Sequence, residues 1–192
     1  MSLQAIPLFP LPTVLYPGAY LPLQIFEPRY RRMVKECLQN NSGFIIVQTL
    51  ETPAPDQAQF YMLGGYGEIF DWHPLPNEMI GIELKGLRKA RIHRHAVAPD
   101  GLIIGEVELL PLERVTPLVP RYDELAGLLR DIQAHPLITA LPFDIDYDDA
   151  TDVSFRLAES LPFTREEKQL MLEMDSVEAR LAKVLSVLQE LS

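Results

Sequence analysis

Few residues of this chain have the type and spacing of a reactive site, and each such set has a plainer explanation beside it. His93 and His95 stand two residues apart, a spacing that zinc can use when both imidazoles share one strand face. Arg91 would share that face, and no third ligand is visible, which argues against a metal there. Asp144, Asp146, Asp148 and Asp149, with Asp152, have the outline of a calcium loop. That loop needs Gly at its sixth position and Glu at its twelfth, where this chain has Asp149 and Phe155. The run reads better as a solvated loop whose carboxylates favour the start of the next helix. Glu27 and Arg29 could be an acid–base couple, but beside Pro28 capping and ion pairing account for them better. Gly64, Gly65 and Gly67 lack the Lys that follows in a phosphate loop and read as a turn or a bulge. Cys37 is the only cysteine, which excludes an internal disulfide and a Cys-based zinc site. No catalytic, cofactor-binding or metal-binding residue is assigned.

Two surface features remain as recognition candidates. Arg29, Arg31, Arg32 and Lys35 form a basic cluster in a chain of formal net charge −10. The cluster is either a solvated helix face paired with nearby carboxylates or a contact surface for an acidic or C-terminal peptide group. On the second reading Arg31, Arg32 and Lys35 are the partner-binding residues. Trp72, the only tryptophan, begins a loop of His73, Pro74, Leu75 and Pro76. It is either partly buried at the end of its strand or a recognition residue.

The elements that must carry these residues can be read in order. Ile6 to Tyr30 is apolar and aromatic, yet Pro7, Pro10, Pro12, Pro17, Pro22 and Pro28 exclude a long helix or a central strand. Short extended pieces turning at Tyr16, Pro17 and Gly18 are expected. Pro28 then opens a helix whose buried face is Tyr30, Met33, Val34, Cys37 and Leu38, with Gly43 as the stop. On that face Cys37 is an inert core thiol. Strands are expected over Phe44–Leu50, Phe60–Leu63, Gly67–Trp72, Met79–Lys85, Leu87–His95 and Leu102–Leu110, with a mobile loop after Leu50 and a turn at Lys85 and Gly86. Ile80, Ile82 and Leu84 alternate with polar or small residues, the pattern of a sheet with one wet face. The spacing suggests a small, mostly antiparallel barrel or twisted sheet.

From Arg121 the period changes to that of helices: Arg121–Ala134, Val153–Ser160, one opened by Thr164 with Glu167 as a capping box, and one opened by Asp175 with Glu178. The last presents Val177, Leu181, Val184, Leu185, Leu188 and Leu191, a stripe for burial against the bundle or for self-association. His73 and His135, each before a proline, read as loop or helix-end residues. Two subdomains are expected, residues 1–115 and 116–192.

The acidic balance disfavours a nucleic-acid partner, since affinity for phosphate needs clustered Lys and Arg. No segment approaches the roughly 18–20 unbroken apolar residues of a membrane span. The N-terminus lacks the basic region of a signal peptide. Together these point to a cytoplasmic protein.

The stretch IPLFPLPTVLYPGAYLPLQIFEPRYRRM, Ile6 to Met33, resembles the opening of the Lon N-terminal (substrate-binding) domain family. Gln24 stands where many members have His. LGGYGEIFDW and GLRKARI resemble two of the family's strands, and SFRLAESLPFTREEKQLMLEMDSVEARL its closing helices. The resemblance implies an α+β fold: a PUA-like small antiparallel β-barrel with one inserted helix, followed by a C-terminal helical bundle. It also implies a stand-alone copy of a domain that in Lon proteases helps recognise unfolded or tagged polypeptides. Without ATPase or protease signatures, the expected role is a non-catalytic polypeptide-binding or adaptor module, with an unfolded or tagged polypeptide or a partner protein as its ligand. The alternatives are a nucleic-acid-binding PUA-like module, or an enzyme with a site between barrel and bundle.

Overall fold

Pro7 and Pro10 dictate how the first strand pairs. In the computed structural model, which describes residues 2–53, 59–135 and 145–190, β1 (Gln4–Leu11) has two partners in succession. It runs antiparallel to β6 (Ile103–Leu109) along Gln4–Leu8 and parallel to β3 (Phe44–Gln48) along Leu8–Leu11. Each half has one partner strand, so a residue without a backbone N–H forfeits nothing on its open side. The sequence reading excludes a central strand here. β1 nevertheless lies between β3 and β6, because the change of partner at Leu8 makes each half an edge.

β2 (Tyr20–Ile25) holds Pro22 and pairs only with β5 (Ile80–Val97), as an edge strand should. β4 (Leu63–Pro74) joins β5 to β3. The sheet order is β2-β5-β4-β3-β1-β6, and β6 also pairs with β5, so five strands close a circuit and β2 extends from it. Every pairing is antiparallel except β1 with β3, which the crossover through β2 and α1 (Pro28–Asn40) makes parallel. Ile6, Leu8, Ile45, Val47, Phe60, Ala90, Ile92 and Val107 form one core cluster of this unit. Phe44 of β3 lies 6.1 Å from Phe9, whose ring stacks 3.9 Å from Tyr30 of α1. β3 is thus buried on both faces, which explains its unbroken apolar run.

β5 is one strand where the sequence suggests two with a turn at Lys85 and Gly86. Gly86 is there for close approach: its N–H donates to the Ala19 carbonyl and its carbonyl accepts from Gly18, each at 2.8 Å. A Cβ at Gly86 would stand 2.1 Å from the Tyr16 oxygen. β4 is likewise continuous over the Gly64–Gly67 run, and the ladder slips between Tyr66 and Gly67, so the run is a bulge and not a turn. Phe60 lies outside β4 and bridges Thr49 alone. α1 ends on Asn41 in the left-handed region (φ 49°), not on Gly43. Gly43 instead donates to the Tyr66 hydroxyl at 2.9 Å.

The chain divides into two units, Met1–Leu112 and Glu113–Ser192. In the second, a 3₁₀ turn (Pro120–Tyr122) leads into α2 (Asp123–Ala134), followed by α3 (Ala150–Ser160), α4 (Arg165–Glu173) and α5 (Val177–Glu190). α3 is central: Val153, Phe155, Leu157 and Ala158 are buried, and α2, α4 and α5 all pack on it. Leu181 and Val184 of the α5 stripe are buried, and Leu185 and Leu188 partly so. α3 starts earlier than the sequence suggests because the Asp149 carboxylate caps it, accepting from Thr151 and Thr116 N–H at 2.9 Å. Asp152 accepts from Asp146 N–H at 2.9 Å and Asp146 from Asp148 N–H at 3.0 Å, so these carboxylates hold backbone. The capping box of Thr164 and Glu167 is formed. α5 is capped by Ser176, whose Oγ accepts from Ala179 N–H at 3.2 Å, and not by Asp175. Residues 54–58 of the loop after Leu50, and Leu141, Pro142, Asp144 and Leu191, lie outside the described residues.

Candidate binding groove

α1 has one fully buried face, made by Tyr30, Met33, Val34 and Cys37. The Cys37 thiol is pushed above its ordinary pKa by burial and donates to the Gly43 carbonyl at 3.5 Å, as befits a core residue. Leu38 departs from expectation: it is 37% exposed. With Pro28, Arg31, Arg32, Val34, Lys35, Gln39, Trp72 and Ile80 it lines a groove of about 650 Å³. Trp72 is not in a loop; it sits within β4 opposite Ile82, after a slip in the ladder between Ile69 and Asp71. Its indole is 53% exposed. Trp72, far from Arg31, Arg32 and Lys35 in the chain, thus lines with them one groove that has an apolar floor and a cationic rim.

The rim charges differ in how they are held. Arg29 lies outside the groove lining, its guanidinium 2.8 Å from Glu27 with Nη1 donating to the Gly101 carbonyl at 2.8 Å. Glu27 makes no side-chain cap, so ion pairing alone explains that couple. Arg32 places Nε and Nη2 2.7 Å from Asp100 Oδ2, with Nη1 3.0 Å from Glu36. The Asp100 carboxyl is held below the usual carboxylate range by the Leu102 N–H and by Arg32. Arg31 has one exposed contact, Nη1 to Glu78 Oε2 at 3.0 Å. Lys35 forms no ion pair among the described residues. The solvated-face reading fits Arg29 and Arg32 and leaves Arg31 and Lys35 weakly engaged.

Glu78 sits at the tip of the hairpin joining β4 and β5. Met79 N–H bonds the Pro76 carbonyl at 3.3 Å, and the two residues between, Asn77 and Glu78, have φ of 57° and 59°. Those are the φ signs of a type I′ turn, which favours Asn then Gly. A Glu in the left-handed region costs about 1–2 kcal/mol.

The histidines do not assemble a site. The β5–β6 ladder slips between Ile92 and Arg94; His93 Nε2 lies 3.2 Å from Glu108, and the His95 ring lies 5.1 Å from Phe60. His73 is in β4 with its imidazole over Gly81, not in a loop, while His135 closes α2. Among the described residues no three His, Cys, Asp or Glu side chains gather as they would around a metal. Sequence reading missed Leu38, Ile80 and Glu78. The only signal for Glu78 was its place after Asn77 between two strands.

A strand circuit with a crossover helix, followed by a helical unit, is the fold of solved Lon N-terminal domains. The Lon N-terminal domain protein from Xanthomonas campestris superposes with a TM-score of 0.78 at 30% identity, covering 95% of this chain and 98% of that one. The N-terminal domain of the Mycobacterium avium complex Lon protease shares the fold, with a TM-score of 0.66 at 17% identity over 95% of this chain and 97% of that one. The sequence model of the ATP-dependent protease La (LON) substrate-binding domain matches residues 5–190, and the chain belongs to that family. Lon protease of Brevibacillus choshinensis is 22% identical over 198 residues, 95% of this chain, and the chain spans only 24% of that protease's length. Protein cereblon of Danio rerio is 27% identical over 120 residues, 60% of this chain and 27% of its own length. No helix among the described residues is long and apolar enough to cross a membrane.

Proposed function

We propose that this chain is a cytoplasmic polypeptide-binding module that performs no chemistry of its own and holds an unfolded segment, or a partner's exposed segment, in the groove between α1 and β4. The observation that carries this reading is the groove itself. Leu38, Trp72 and Ile80 offer apolar surface at an accessible site, and Arg31 and Lys35 stand at its rim. A half-exposed indole and an exposed leucine are surfaces that an apolar side chain of a ligand would take out of water. Membership of the substrate-binding family supports the same kind of ligand. The nucleic-acid alternative is weakened because Arg29, Arg31 and Arg32 all face carboxylates, leaving little free positive charge for phosphate.

Trp72 is the only tryptophan, so its emission reports the groove directly. Titration with a Trp-free synthetic unfolded polypeptide rich in Leu and Phe should shift that emission to the blue and saturate. Leu38→Asp should abolish the response without changing the circular dichroism. An unresponsive Trp72, or a Leu38→Asp protein that responds like wild type, would sink the proposal.

A further inference from the structure

Two local costs meet on the rim of the groove. The first is Glu78, a non-glycine residue with φ 59° where a type I′ turn favours Gly. Its one contact is the Arg31 pair at 3.0 Å, in which its side chain is 80% exposed. Exposed pairs of this kind contribute little, so stability does not explain the residue. The second is the spacing of Arg31 and Lys35, one helical turn apart on one face, where like charges repel. Arg32 is satisfied on both sides by Asp100 and Glu36, but Lys35 has no anionic partner among the described residues.

We propose, resting on the polypeptide-binding reading above, that Glu78 is an internal stand-in for an acidic group of the ligand. On this account the groove selects an apolar segment followed by carboxylates. The apolar side chains lie on Leu38, Trp72 and Ile80. The ligand's carboxylate displaces Glu78 from Arg31, and a second one, or a C-terminal carboxylate, is taken by Lys35. Charge complementarity identifies the occupant: two under-satisfied cations beside an apolar floor, in a chain otherwise strongly negative. With no ligand, Glu78 keeps Arg31 from repelling Lys35 unscreened. The pair is exposed and therefore weak, which makes that contact easy to release.

The test uses Trp72 emission at physiological ionic strength with two synthetic peptides, a Leu-Phe pair followed by consecutive Glu residues and its Gln counterpart. Wild type should bind the Glu peptide about tenfold more tightly, the range of one charge-assisted contact. Glu78→Gly, which suits the turn and frees Arg31, should tighten the Glu peptide roughly threefold to tenfold further and leave the Gln peptide unchanged. Glu78→Gln keeps the backbone strain and removes the charge, so it should act like Glu78→Gly if displacement of the carboxylate is what matters. Equal affinity for the two peptides, or Glu78 variants that shift neither peptide or both alike, would overturn this inference while leaving the polypeptide-binding reading standing. No response to either peptide would overturn both.

Discussion

Arg180 carries its guanidinium into a fully buried site in the helical unit, where each of its three nitrogens donates at least one hydrogen bond. Nη2 lies 2.6 Å from Glu113, Nε donates to Ser154 Oγ at 2.8 Å, Nη1 donates to the Met174 carbonyl at 3.0 Å, and the group lies 3.8 Å over the Phe155 ring. Burying a charge is tolerable only when it is paired and hydrogen-bonded in this way, and removing one partner leaves the other stranded. Arg180→Met should therefore cost about 3–5 kcal/mol in urea denaturation followed by circular dichroism. The double change Arg180→Met with Glu113→Met should recover most of that loss, because it removes both charges. Both variants unfolding alike would show that packing, and not the unpaired carboxylate, sets the cost. Arg31 has the same charge and the opposite setting, with one exposed contact. Sequence gives no hint of this difference. Residue type alone places both arginines at the surface, and only the neighbours each meets in the fold separate a buried, fully engaged cation from an exposed one.

Among the elements, β5 shows how a local signal can mislead. Lys85 and Gly86 have the composition of a turn, yet Gly86 lies inside an unbroken strand of 18 residues. The glycine answers a distant requirement, the passage of the Tyr16–Ala19 backbone against the sheet. Gly86→Ala should destabilise by about 1–3 kcal/mol, through a Cβ that cannot be accommodated without backbone shift. It should also speed hydrogen exchange at the Gly18 amide, which bonds to the Gly86 carbonyl at 2.8 Å. Gly127 in α2 is the natural control: a Cβ there meets nothing within 4 Å. Gly127→Ala should stabilise, by up to about 1 kcal/mol from helix propensity. Thermal melts moving the same way in both variants would remove the close-approach argument. By contrast, the α4 capping box was legible in full, because the residues that make it are three apart. There the Glu167 carboxyl is held below its ordinary pKa by the Thr164 N–H and by Lys183.

At the scale of the whole molecule, a formal charge of −10 surrounds a groove whose rim is positive. The global field repels an acidic polypeptide from afar, while the rim attracts it at contact, and salt separates the two because screening acts over about 10 Å at 0.1 M. Stopped-flow Trp72 emission should thus show slower association of the Glu peptide than of its Gln counterpart at low ionic strength. That difference should vanish as salt approaches the physiological range, while slower dissociation of the Glu peptide persists. Association rates that fall for the Glu peptide as salt is added would place a larger positive field at the groove than its pairing pattern allows.

The amino-acid sequence by itself determined the strand-rich first half, the amphipathic α1, the helical second half and the family, since periodicity, caps and motifs are carried by residues near one another in the chain. It also singled out Arg31, Arg32, Lys35 and Trp72, but as two unrelated surfaces. Only the tertiary structure decided that they line one groove, that Leu38 joins them instead of the core, that Glu78 reaches Arg31, that β1 changes partner at Leu8 and that Arg180 is buried. Each of these depends on strand register or on contacts between residues distant in sequence, and register is set by how all the strands close on one another, which no local window of residues contains.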